Sequence, residues 1–577
     1  MAGEPETGQA PEEAPEPPTV FRGAGLDQFA APPRGANNHD APAHAEAPQP
    51  PTTSSGAALD QFAAPPRGAN DHNEPAPEEL PAPPPPGTPT PRWQSGALAH
   101  AVSDPFALGP LPWLRGSETY FEDGRIIPWY ADPHTPRVPP PRDKTFPTGA
   151  PRSADDVHRQ IKGFTSPGAV TPGEALDFHI TVDPPQQFTV DVYRIGHYNG
   201  EGAAKITTSP RLSGIVQPPP LAADRTVSCH HWWLSWRLQV PAYWNVGAYV
   251  AVLTTLDGYR SHIPFTVRDN RPADLLLLLP DVTWQAYNLY PEDGSTGASL
   301  YHAWDDEGRL LGEADAATTV SFDRPYAGAG LPLHVGHAYD VIRWAERYGY
   351  DLAYADARDL HAGTVDPTRY RGLIFPGHDE YWSANMRRTT EFARDAGTSL
   401  VFLSANTMYW QVELGPSPSG APARLLTCRK RKGPGKSLLW REIDRPEQQL
   451  LGIQYAGRVP APRPMIVRNA HHWLWEATGA HEGDEIEHLV AGEADRYFPR
   501  TALPEHEERV LLAHSPYDDA RGTRRHQETS LYRAPSGALV FASGTFAWSP
   551  ALDRPGHVDA RIQRATANLL DRICKRD

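Results

Sequence analysis

The chain has 577 residues, a net charge of -16 and only three cysteines. This negative charge argues against general binding to nucleic acid or to anionic membranes. Cys229, Cys428 and Cys574 are odd in number and widely spaced, which argues against a disulfide framework or a cysteine zinc site. The start of the chain, MAGEPETGQAPEEAPEPP, lacks the apolar segment of a secretory signal, and the longest aliphatic run, Leu275–Leu279, is too short to span a bilayer. We therefore expect a cytoplasmic protein.

Residues 1–110 are predicted to form a disordered tail. The segment is rich in proline, alanine and glutamate, which cannot bury enough apolar surface to offset the loss of chain entropy. It contains a near-perfect repeat, LDQFAAPPRGANNHD from Leu26 and LDQFAAPPRGANDHN from Leu59. This repeat is either a duplication within a linker or a linear motif presented twice, so that two weak contacts gain avidity. Residues 111–159 gain tryptophan and tyrosine, and we expect an irregular strap over the folded body.

Residues 160–268 show the alternation of apolar and polar residues that is typical of β-strands. The segments ALDFHITV and FTVDVYRI alternate, and Asp257-Gly258 between two further apolar segments is a strong hairpin signal. Several short strands over such a length predict an immunoglobulin-like β-sandwich. One aromatic run within it is either a sugar-binding surface or core packing, and it consists of His230, His231, Trp232, Trp233 and Trp236.

From residue 269 onward, strand patterns alternate with helical ones. ADLLLLLP is a continuous apolar run, as expected for a central parallel strand buried on both faces. YDVIRWAERYGY predicts an amphipathic helix that ends at Gly349. Its buried side is predicted to contain Val341, Ile342, Trp344, Ala345 and Tyr348. Further strands at LAYADARDL and ALVFASG, and a closing helix at DARIQRATANLLDRI, predict a doubly wound α/β sheet for residues 269–577.

Residues 372–411 carry the most informative pattern in the chain, because two apolar runs there each end in a polar and aromatic cluster. The first cluster contains His378, Asp379, Glu380, Tyr381 and Trp382, and the second contains Asn406, Tyr409 and Trp410. SANMRRTTEFARDAG between them predicts a helix with Ser383 as its N-cap, Gly397 as its stop, and Met386, Thr389, Phe392 and Ala393 at helical spacing. Ligands bind at the carboxyl ends of strands in such a strand-helix-strand unit, so both clusters are predicted to lie at one site.

Two common hydrolase chemistries find little support in the residues. No cysteine follows a sheet strand on a sharp turn, and no G-x-S-x-G elbow occurs. His334 and His337 form an H-x-x-H pair, but the sequence lacks the H-E-x-x-H pattern and a clear third zinc ligand.

Seven phrases occur in order along the chain: YRIGHYNGEGA, GYRSHIPFTVRD, TWQAYN, GHDEYWS, ANTMYWQ, LLGIQY and GEADR. Together they resemble the C-terminal region of the large (beta) subunit of N,N-dimethylformamidase, and the resemblance extends from about residue 163 to the C-terminus. It implies a class I glutamine-amidotransferase-like α/β domain preceded by an immunoglobulin-like sandwich. It also implies hydrolysis of a small amide at a mononuclear iron held by two tyrosines and a carboxylate.

On this resemblance, Tyr381 and Tyr409 are the candidate phenolate ligands of a ferric ion. The carboxylate is expected to be Glu493, with Glu482 as the alternative. The candidate catalytic residues are His378, Glu380 and Asn406, with Glu380 as the preferred general base. The alternative is that the tyrosines and tryptophans of the two clusters only close the top of the sheet.

Three function classes remain open on the sequence. The first is an iron-dependent hydrolase of small amides, the second is a non-catalytic relative that binds a small molecule in the same pocket, and the third is an interaction protein that uses the sandwich and the repeated tail. The expected partners are a small-molecule substrate and either further copies of this chain or a small partner subunit. No nucleic-acid or membrane partner is expected.

Overall fold

The computed structural model describes residues 152–269, 271–430 and 435–575, together with the backbone of two short strands. These two strands are β1 (Phe121–Glu122) and β2 (Arg125–Ile126), and they pair with each other in antiparallel fashion. The predicted disordered tail, its repeated segment and most of the predicted strap lie outside the described residues.

The N-terminal region of the described chain, residues 152–269, consists of short strands. They are β3 (Arg152–Ser153), β4 (Lys162–Ser166), β5 (Ala169–Val170), β6 (Ala175–Thr181), β7 (Gln187–Ile195), β8 (Ala203–Thr208), β9 (Leu212–Ser213), β10 (Leu221–Ala223), β11 (Thr226–Ser228), β12 (Trp236–Gln239), β13 (Gly247–Thr255) and β14 (Tyr259–Val267). A three-stranded sheet, β12-β6-β4, packs on a larger one with the order β3-β14-β13-β7-β8. Phe178 of β6 and Phe265 of β14 meet edge to face in the shared core.

Several local predictions for this N-terminal region are confirmed. Alternation in the sequence places Leu176, Phe178 and Ile180 of β6 in the core, and β13 and β14 form the predicted antiparallel hairpin at Asp257-Gly258. Gly258 has a φ of 88°, which the turn requires and which residues with a side chain rarely adopt. The aromatic run after β11 is divided, since Trp232 is buried whereas Trp233 is 59% exposed.

The C-terminal region, from residue 271 to residue 575, contains the remaining strands and the helices. Its first part is β15 (Leu275–Leu279), α1 (Asp281–Tyr287), β16 (Ala303–Trp304), β17 (Leu310–Leu311), β18 (Thr319–Ser321), α2 (Val335–Arg347), β19 (Leu352–Asp356), α3 (Ala357–Ala362), β20 (Gly372–Phe375), β21 (Tyr381–Ser383), α4 (Ala384–Asp395) and β22 (Ser399–Phe402). Its second part is β23 (Trp410–Gly415), β24 (Leu425–Thr427), α5 (Gln448–Leu451), β25 (Gln454–Ile466), β26 (Glu485–Arg496), β27 (Glu508–Asp518), β28 (Arg524–Arg533), β29 (Leu539–Ala542), α6 (Pro550–Asp553) and α7 (Ala560–Cys574).

The largest sheet of this C-terminal region has the strand order β19-β15-β20-β22-β29-β28-β27. Strands β19, β15, β20, β22 and β29 run parallel to their neighbours, whereas β28 and β27 are antiparallel additions at one edge. Along β15, Leu275 and Leu277 join the core that contains α2, and Leu276 and Leu278 join the core on the opposite face. The prediction that this apolar run is a parallel strand buried on both faces is therefore confirmed.

The predicted fold class is wrong for the described residues. The strands are spread over eight sheets, and the described ranges contain seven α-helices. This arrangement is not a class I glutamine-amidotransferase-like doubly wound domain preceded by an immunoglobulin-like sandwich. Alternation of strand and helix stops at β22, and the chain reaches β29 through six strands and the four-residue α5. Pro460, Pro462 and Pro464 lie at alternate positions of β25 and exclude a helix there.

Two helices show where the predicted patterns held and where they failed. Ser383 caps α4 as predicted, because its side chain accepts a hydrogen bond from the backbone N–H of Met386. Phe392, however, is 64% exposed, and the buried side of α4 contains Arg387 instead. The α2 prediction holds for its aliphatic residues and Trp344, but Tyr348 is 45% exposed and therefore does not belong to the buried side.

The N-terminal and C-terminal regions are joined by one partly buried and one buried polar contact. The Arg194 guanidinium on β7 contacts the Glu346 carboxylate on α2 at 2.6 Å, and the Thr266 hydroxyl donates to the Asp356 carboxylate at 2.5 Å. Val250 and Val252 of β13 belong to the same apolar core as α2. Among the described helices, none combines the length and apolar character needed to cross a membrane.

Candidate active site

The two polar clusters predicted from the sequence meet beyond the carboxyl ends of β20 and β22. These strands are parallel neighbours, with Phe375 opposite Phe402. Past them, the N–H groups of Met408 and Tyr409 donate to the carbonyls of Asp379 and Glu380 at 2.9 and 2.8 Å. The predicted adjacency of the two strand ends is confirmed, and it follows from the rule that parallel strands end at the same edge of a sheet.

The segment that carries Tyr409 has a constrained backbone. Asn406 and Met408 both have left-handed backbone angles, with φ values of 52° and 60°. Such angles are uncommon for residues with a side chain, and they persist where the surroundings hold them. Here the N–H of Asn406 donates to the Asp495 carboxylate at 2.8 Å. This geometry constrains the path of the backbone between the end of β22 and Tyr409.

Glu380 is the centre of a dense, buried hydrogen-bond cluster. Its Oε2 accepts from the hydroxyls of Tyr287 and Tyr301, each at 2.6 Å, and lies 3.3 Å from Nε2 of His378. Nε2 of His378 is also 3.1 Å from the Tyr287 hydroxyl. The rings of Tyr287 and Tyr301 are stacked with their centroids 4.4 Å apart, and the ring of Tyr381 meets both at their edges.

This cluster favours the charged forms of both His378 and Glu380. Burial is the largest single influence and opposes the charge on each. Their mutual hydrogen bond and the opposite charges around them together outweigh burial, so the pKa of His378 is raised and the pKa of Glu380 is lowered. Burial, followed by the negative charge of Glu380, raises the pKa values of Tyr287 and Tyr301 well above that of a free phenol. The pair is thus a carboxylate held by two neutral phenols beside a histidine that favours its protonated form.

Glu493 on β26 belongs to a second group beside the first. The hydroxyl of Tyr455 on β25 donates to Oε1 of Glu493 at 3.2 Å. Burial raises the pKa of Glu493, the charge of His378 opposes that rise, and the charge of Glu380 adds to it. These charge effects indicate that Glu493 lies near the His378 and Glu380 pair. Glu482, the alternative carboxylate, is an exposed residue that pairs with Arg468 at 3.6 Å.

Three buried oxygens of these groups have no hydrogen-bond partner within the described part of the chain. They are the hydroxyl of Tyr381, Oε2 of Glu493 and Oδ1 of Asn406. The polar neighbour of Tyr381 is Tyr301, whose hydroxyl proton is directed to Glu380 instead. Buried oxygens without a partner are costly, and at functional sites they are available to bind an ion, a water or a substrate.

Tyr409 has a different environment from Tyr381. It is half-buried, its ring meets that of Tyr455 at a centroid distance of 5.2 Å, and the guanidinium of Arg441 lies 5.2 Å above it. Tyr381, in contrast, is fully buried against Tyr287 and Tyr301. The predicted ligands are therefore divided, with Tyr381 in the Glu380 group and Tyr409 beside Tyr455 and Glu493. Their joint role in binding a metal stays a prediction.

A family model described as N,N-dimethylformamidase beta subunit-like, C-terminal, matches residues 189–561. The chain belongs to this family. The resemblance inferred from the seven phrases is thus confirmed, and membership of the dimethylformamidase-like family supports a hydrolase at the coarse level. A search of curated proteins found no match.

Two solved structures to which this chain is similar do not indicate its fold. An alkylpurine DNA glycosylase, AlkC, of Pseudomonas fluorescens is 18% identical over 19% of this chain and 31% of its own length, with a TM-score of 0.13. A cycloisomaltooligosaccharide glucanotransferase of Paenibacillus sp. is 8% identical over 68% of this chain and 72% of its own, with a TM-score of 0.16. These scores are too low to indicate a shared fold.

Several residues of the site in this dimethylformamidase-like chain were missed by the sequence analysis. Tyr287 and Tyr455 lie within two of the family phrases, TWQAYN and LLGIQY, so the resemblance could have identified them as candidate site residues. Tyr301 comes from a loop with no recognisable pattern. Lys430 had no signal either, yet its ammonium group lies 3.3 Å from the centre of the Tyr301 ring, where it faces the electron-rich side.

His334 and His337, considered above as a zinc motif, form part of the wall of the site. His334 packs edge to face against the His378 ring at a centroid distance of 5.8 Å, and both histidines contact Phe546. Burial lowers the pKa of His334 to about 3 and that of His337 well below the usual value. Both imidazoles are therefore neutral and act as an uncharged boundary of the Glu380 cluster.

Proposed function

We propose that the protein hydrolyses small amides and holds a ferric ion with Tyr381, Glu493 and a second phenol. The observation that carries the proposal is the presence of unpaired, buried oxygens on Tyr381 and Glu493 in neighbouring parts of one cluster. A protein does not normally bury such groups without a partner, since each costs about 1–3 kcal/mol. Membership of the dimethylformamidase-like family supports the same chemistry.

The available donors suit ferric iron better than softer metals. Phenolate and carboxylate are hard oxygen ligands, and the ions that prefer them are hard cations. A bound ferric ion supplies a Lewis acid, which polarises an amide carbonyl and makes bound water more acidic. Burial raises the pKa of Tyr381 well above that of a free phenol, so its deprotonation requires a cation close to the oxygen.

The second phenol is Tyr409 in our proposal, with Tyr455 as the direct competitor. Tyr409 immediately precedes β23, the strand that pairs with the β21 strand of Tyr381, and its N–H donates to the Glu380 carbonyl. Tyr455 already donates to Glu493 and packs against the ring of Tyr409. On this proposal, Tyr455 orients the carboxylate of Glu493 and Tyr409 contributes the ligand.

His378 and Glu380 manage the proton in the reaction. Hydrolysis forms a C–O bond from water, breaks the C–N bond and requires a proton for the departing amine nitrogen. His378 donates that proton from Nε2, because its raised pKa favours the protonated form. Glu380, whose Oε2 already accepts from two phenols, is better suited to hold His378 than to remove a proton from water.

Asn406 acts on the carboxylate side of the site. Its side-chain amide lies close enough to Glu493 to oppose the increase in pKa that burial causes. Its left-handed backbone is fixed by Asp495. We assign it the role of orienting Glu493 and the carbonyl oxygen of the substrate.

The test is hydrolysis of N,N-dimethylformamide and formamide by the full-length protein, measured as formate released, together with iron content per chain. Wild-type protein is expected to contain iron and release formate. Tyr381→Phe and Glu493→Gln should lose both, whereas Tyr339→Phe, a buried tyrosine on α2, should keep both. Bound iron without formate release would favour the small-molecule-binding alternative, and formate release without iron would contradict the proposed centre.

A further inference from the structure

A second cluster of metal-binding side chains lies on the hairpin of β27 and β28. His514 is on β27, directly opposite Glu528 on β28, and His526 precedes Glu528 by two positions on the same strand. Side chains two apart on a strand point to the same face, and a directly opposite residue joins them there. The register of the hairpin therefore brings two imidazoles and one carboxylate together.

A local irregularity in β27 contributes to this arrangement. The pairing of the hairpin shifts between Leu511 and Ala513, immediately before His514. Such a bulge turns the following side chains relative to a regular ladder, and bulges are frequent next to functional sites. After the shift, His514 faces Glu528 across the hairpin.

The distances suit a tetrahedral metal ion. Nδ1 of His514 is 3.1 Å and Nε2 of His526 is 3.7 Å from the same Oε1 of Glu528. All three ligand atoms lie within 4.8 Å of one another. Metal–ligand bonds of about 2.0–2.1 Å place tetrahedral ligands roughly 3.3–3.4 Å apart, so the observed separations lie on either side of this value.

The carboxylate of this cluster is oriented by a separate contact. Oε2 of Glu528 accepts the backbone N–H of Tyr497 at 2.7 Å, which directs Oε1 to the two histidines. Metal-binding side chains commonly have such outer contacts. The side chain of Glu528 is 8% exposed, whereas that of His514 is 47% exposed, so one side of the cluster is open to solvent.

We propose that His514, His526 and Glu528 form a binding site for a divalent transition-metal ion, of which Zn²⁺ is the best match. Two neutral imidazoles and one carboxylate are common ligands of zinc, and the open side leaves the fourth position for water or a small anion.

This site is separate from the proposed iron centre in its residues and in its chemistry. It shares no side chain with Tyr381, Tyr409 or Glu493, and it offers nitrogen donors in place of phenolates. The simpler interpretation is an ion pair between His514 and Glu528 with His526 packed beside it. An ion pair alone, however, does not require the third donor to lie near the same carboxylate oxygen.

The experiment is calorimetric titration of the full-length, chelator-treated protein with zinc chloride. We expect one zinc ion per chain at this site, and His514→Ala, His526→Gln and Glu528→Gln should each weaken binding by about tenfold or more. Cobalt chloride provides a second probe, because tetrahedral Co²⁺ gives intense visible absorption that these variants should lose.

His481→Ala is the matched control, since His481 is an exposed histidine paired with Asp484 at 3.4 Å. This variant should bind zinc as wild type does, and so should Tyr381→Phe. Equal zinc binding by wild type and by the three site variants, all with unchanged circular dichroism, would overturn the proposal. Absence of zinc binding by the wild-type protein would overturn it as well.

Discussion

At the scale of single residues, the site contains two buried carboxylates, Glu380 and Glu493, whose surroundings shift their pKa values in opposite directions. Both are penalised by burial, but Glu380 receives two phenol donors and a histidine, and its pKa is lowered. Glu493 receives one phenol and lies near the charge of Glu380, and its pKa is raised. Environments that separate the pKa values of two carboxyl groups also separate their roles, which supports a positioning role for Glu380 and a ligand role for Glu493.

The Glu380→Gln variant tests the role of Glu380 through the pH dependence of amide hydrolysis. His378 acts as an acid below its pKa, so activity should fall as pH rises through that value. Loss of the carboxylate removes a group that raises the pKa of His378, and the alkaline limb of kcat/KM should move to lower pH. Glu482→Gln, which changes an exposed carboxylate, should leave the limb in place. An unshifted limb in Glu380→Gln would show that Glu380 does not set the pKa of His378.

At the scale of elements, α4 begins where the site ends. Ser383 is the last residue of β21 and the N-cap of α4, and Tyr381 lies two residues earlier. The Ser383 hydroxyl accepts the N–H of Met386 at 3.2 Å and also lies 2.8 Å from Nδ1 of His361. The cap therefore fixes both the start of the helix and the short strand that presents Tyr381.

Loss of this cap should destabilise the protein measurably. We expect Ser383→Ala to reduce the free energy of unfolding by about 1 kcal/mol, because an unpaired N–H remains in the first turn of α4. Ser383→Thr should recover part of the loss. Urea unfolding followed by circular dichroism measures the difference, with the exposed turn residue Ser295→Ala as the control. A Ser383→Ala midpoint equal to that of the control would contradict the capping role.

At the scale of the whole molecule, an ion pair between a buried arginine and a partly buried glutamate connects the β-rich N-terminal region to α2. Arg194 and Glu346 are in contact at 2.6 Å, and the same glutamate accepts the Tyr354 hydroxyl at 3.0 Å and the His197 N–H at 3.2 Å. Removing Glu346 leaves the buried guanidinium of Arg194 without its counter-ion. Such a loss costs about 3–5 kcal/mol in a well-buried pair, and the cost is lower here because Glu346 is 21% exposed.

Glu346→Ala should therefore destabilise the protein far more than breakage of an exposed pair. Asp177 and Arg237 form the comparison, because they have the same 2.6 Å separation while Arg237 is 59% exposed. We expect Asp177→Ala to cost about 1 kcal/mol or less. Calorimetric unfolding of both variants gives the comparison. Equal midpoints would contradict the view that the Arg194–Glu346 contact stabilises the junction of the N-terminal and C-terminal regions.

The molecule should also lose stability in mild acid because of buried, neutral histidines. His262 on β14 is bonded to the Ala329 carbonyl at 2.8 Å, and burial lowers its pKa from 6.5 to about 4. The unfolded chain then binds more protons than the folded one below about pH 6.5, so the free energy of unfolding falls as pH decreases from about 6.5 to 4. This histidine alone accounts for a loss on the order of 3 kcal/mol.

The variant His262→Asn tests this origin of acid sensitivity, because its side-chain amide can replace Nδ1 as the donor to Ala329. Urea midpoints measured between pH 7 and pH 4 should decline less steeply in the variant than in wild type. Identical slopes would assign the acid sensitivity to other groups, of which His334 and His337 are the next candidates.

How far the sequence predicts this structure depends on the range of the interactions involved. The meeting of the two segments that carry Glu380 and Asn406 could be predicted because strand order in a parallel unit places strand ends together. Tyr287 and Tyr301 could not, since they reach Glu380 from α1 and from a loop through contacts that no local pattern encodes. The fold class failed at the point where helical periodicity ends after β22, and the exposed position of Phe392 shows that spacing alone does not say which side of a helix is buried.

The central claim is a ferric ion bound by phenolates, and visible absorption of the purified protein tests it most directly. Charge transfer from phenolate to ferric iron should give the wild-type protein a visible band that scales with its iron content. Tyr381→Phe should remove most of this band and Tyr409→Phe should weaken it, whereas Tyr455→Phe should change its intensity little and Tyr339→Phe should leave it unchanged. A colourless, iron-free protein from aerobic, iron-supplied cells would contradict the claim, and so would a band that survives in Tyr381→Phe at full intensity.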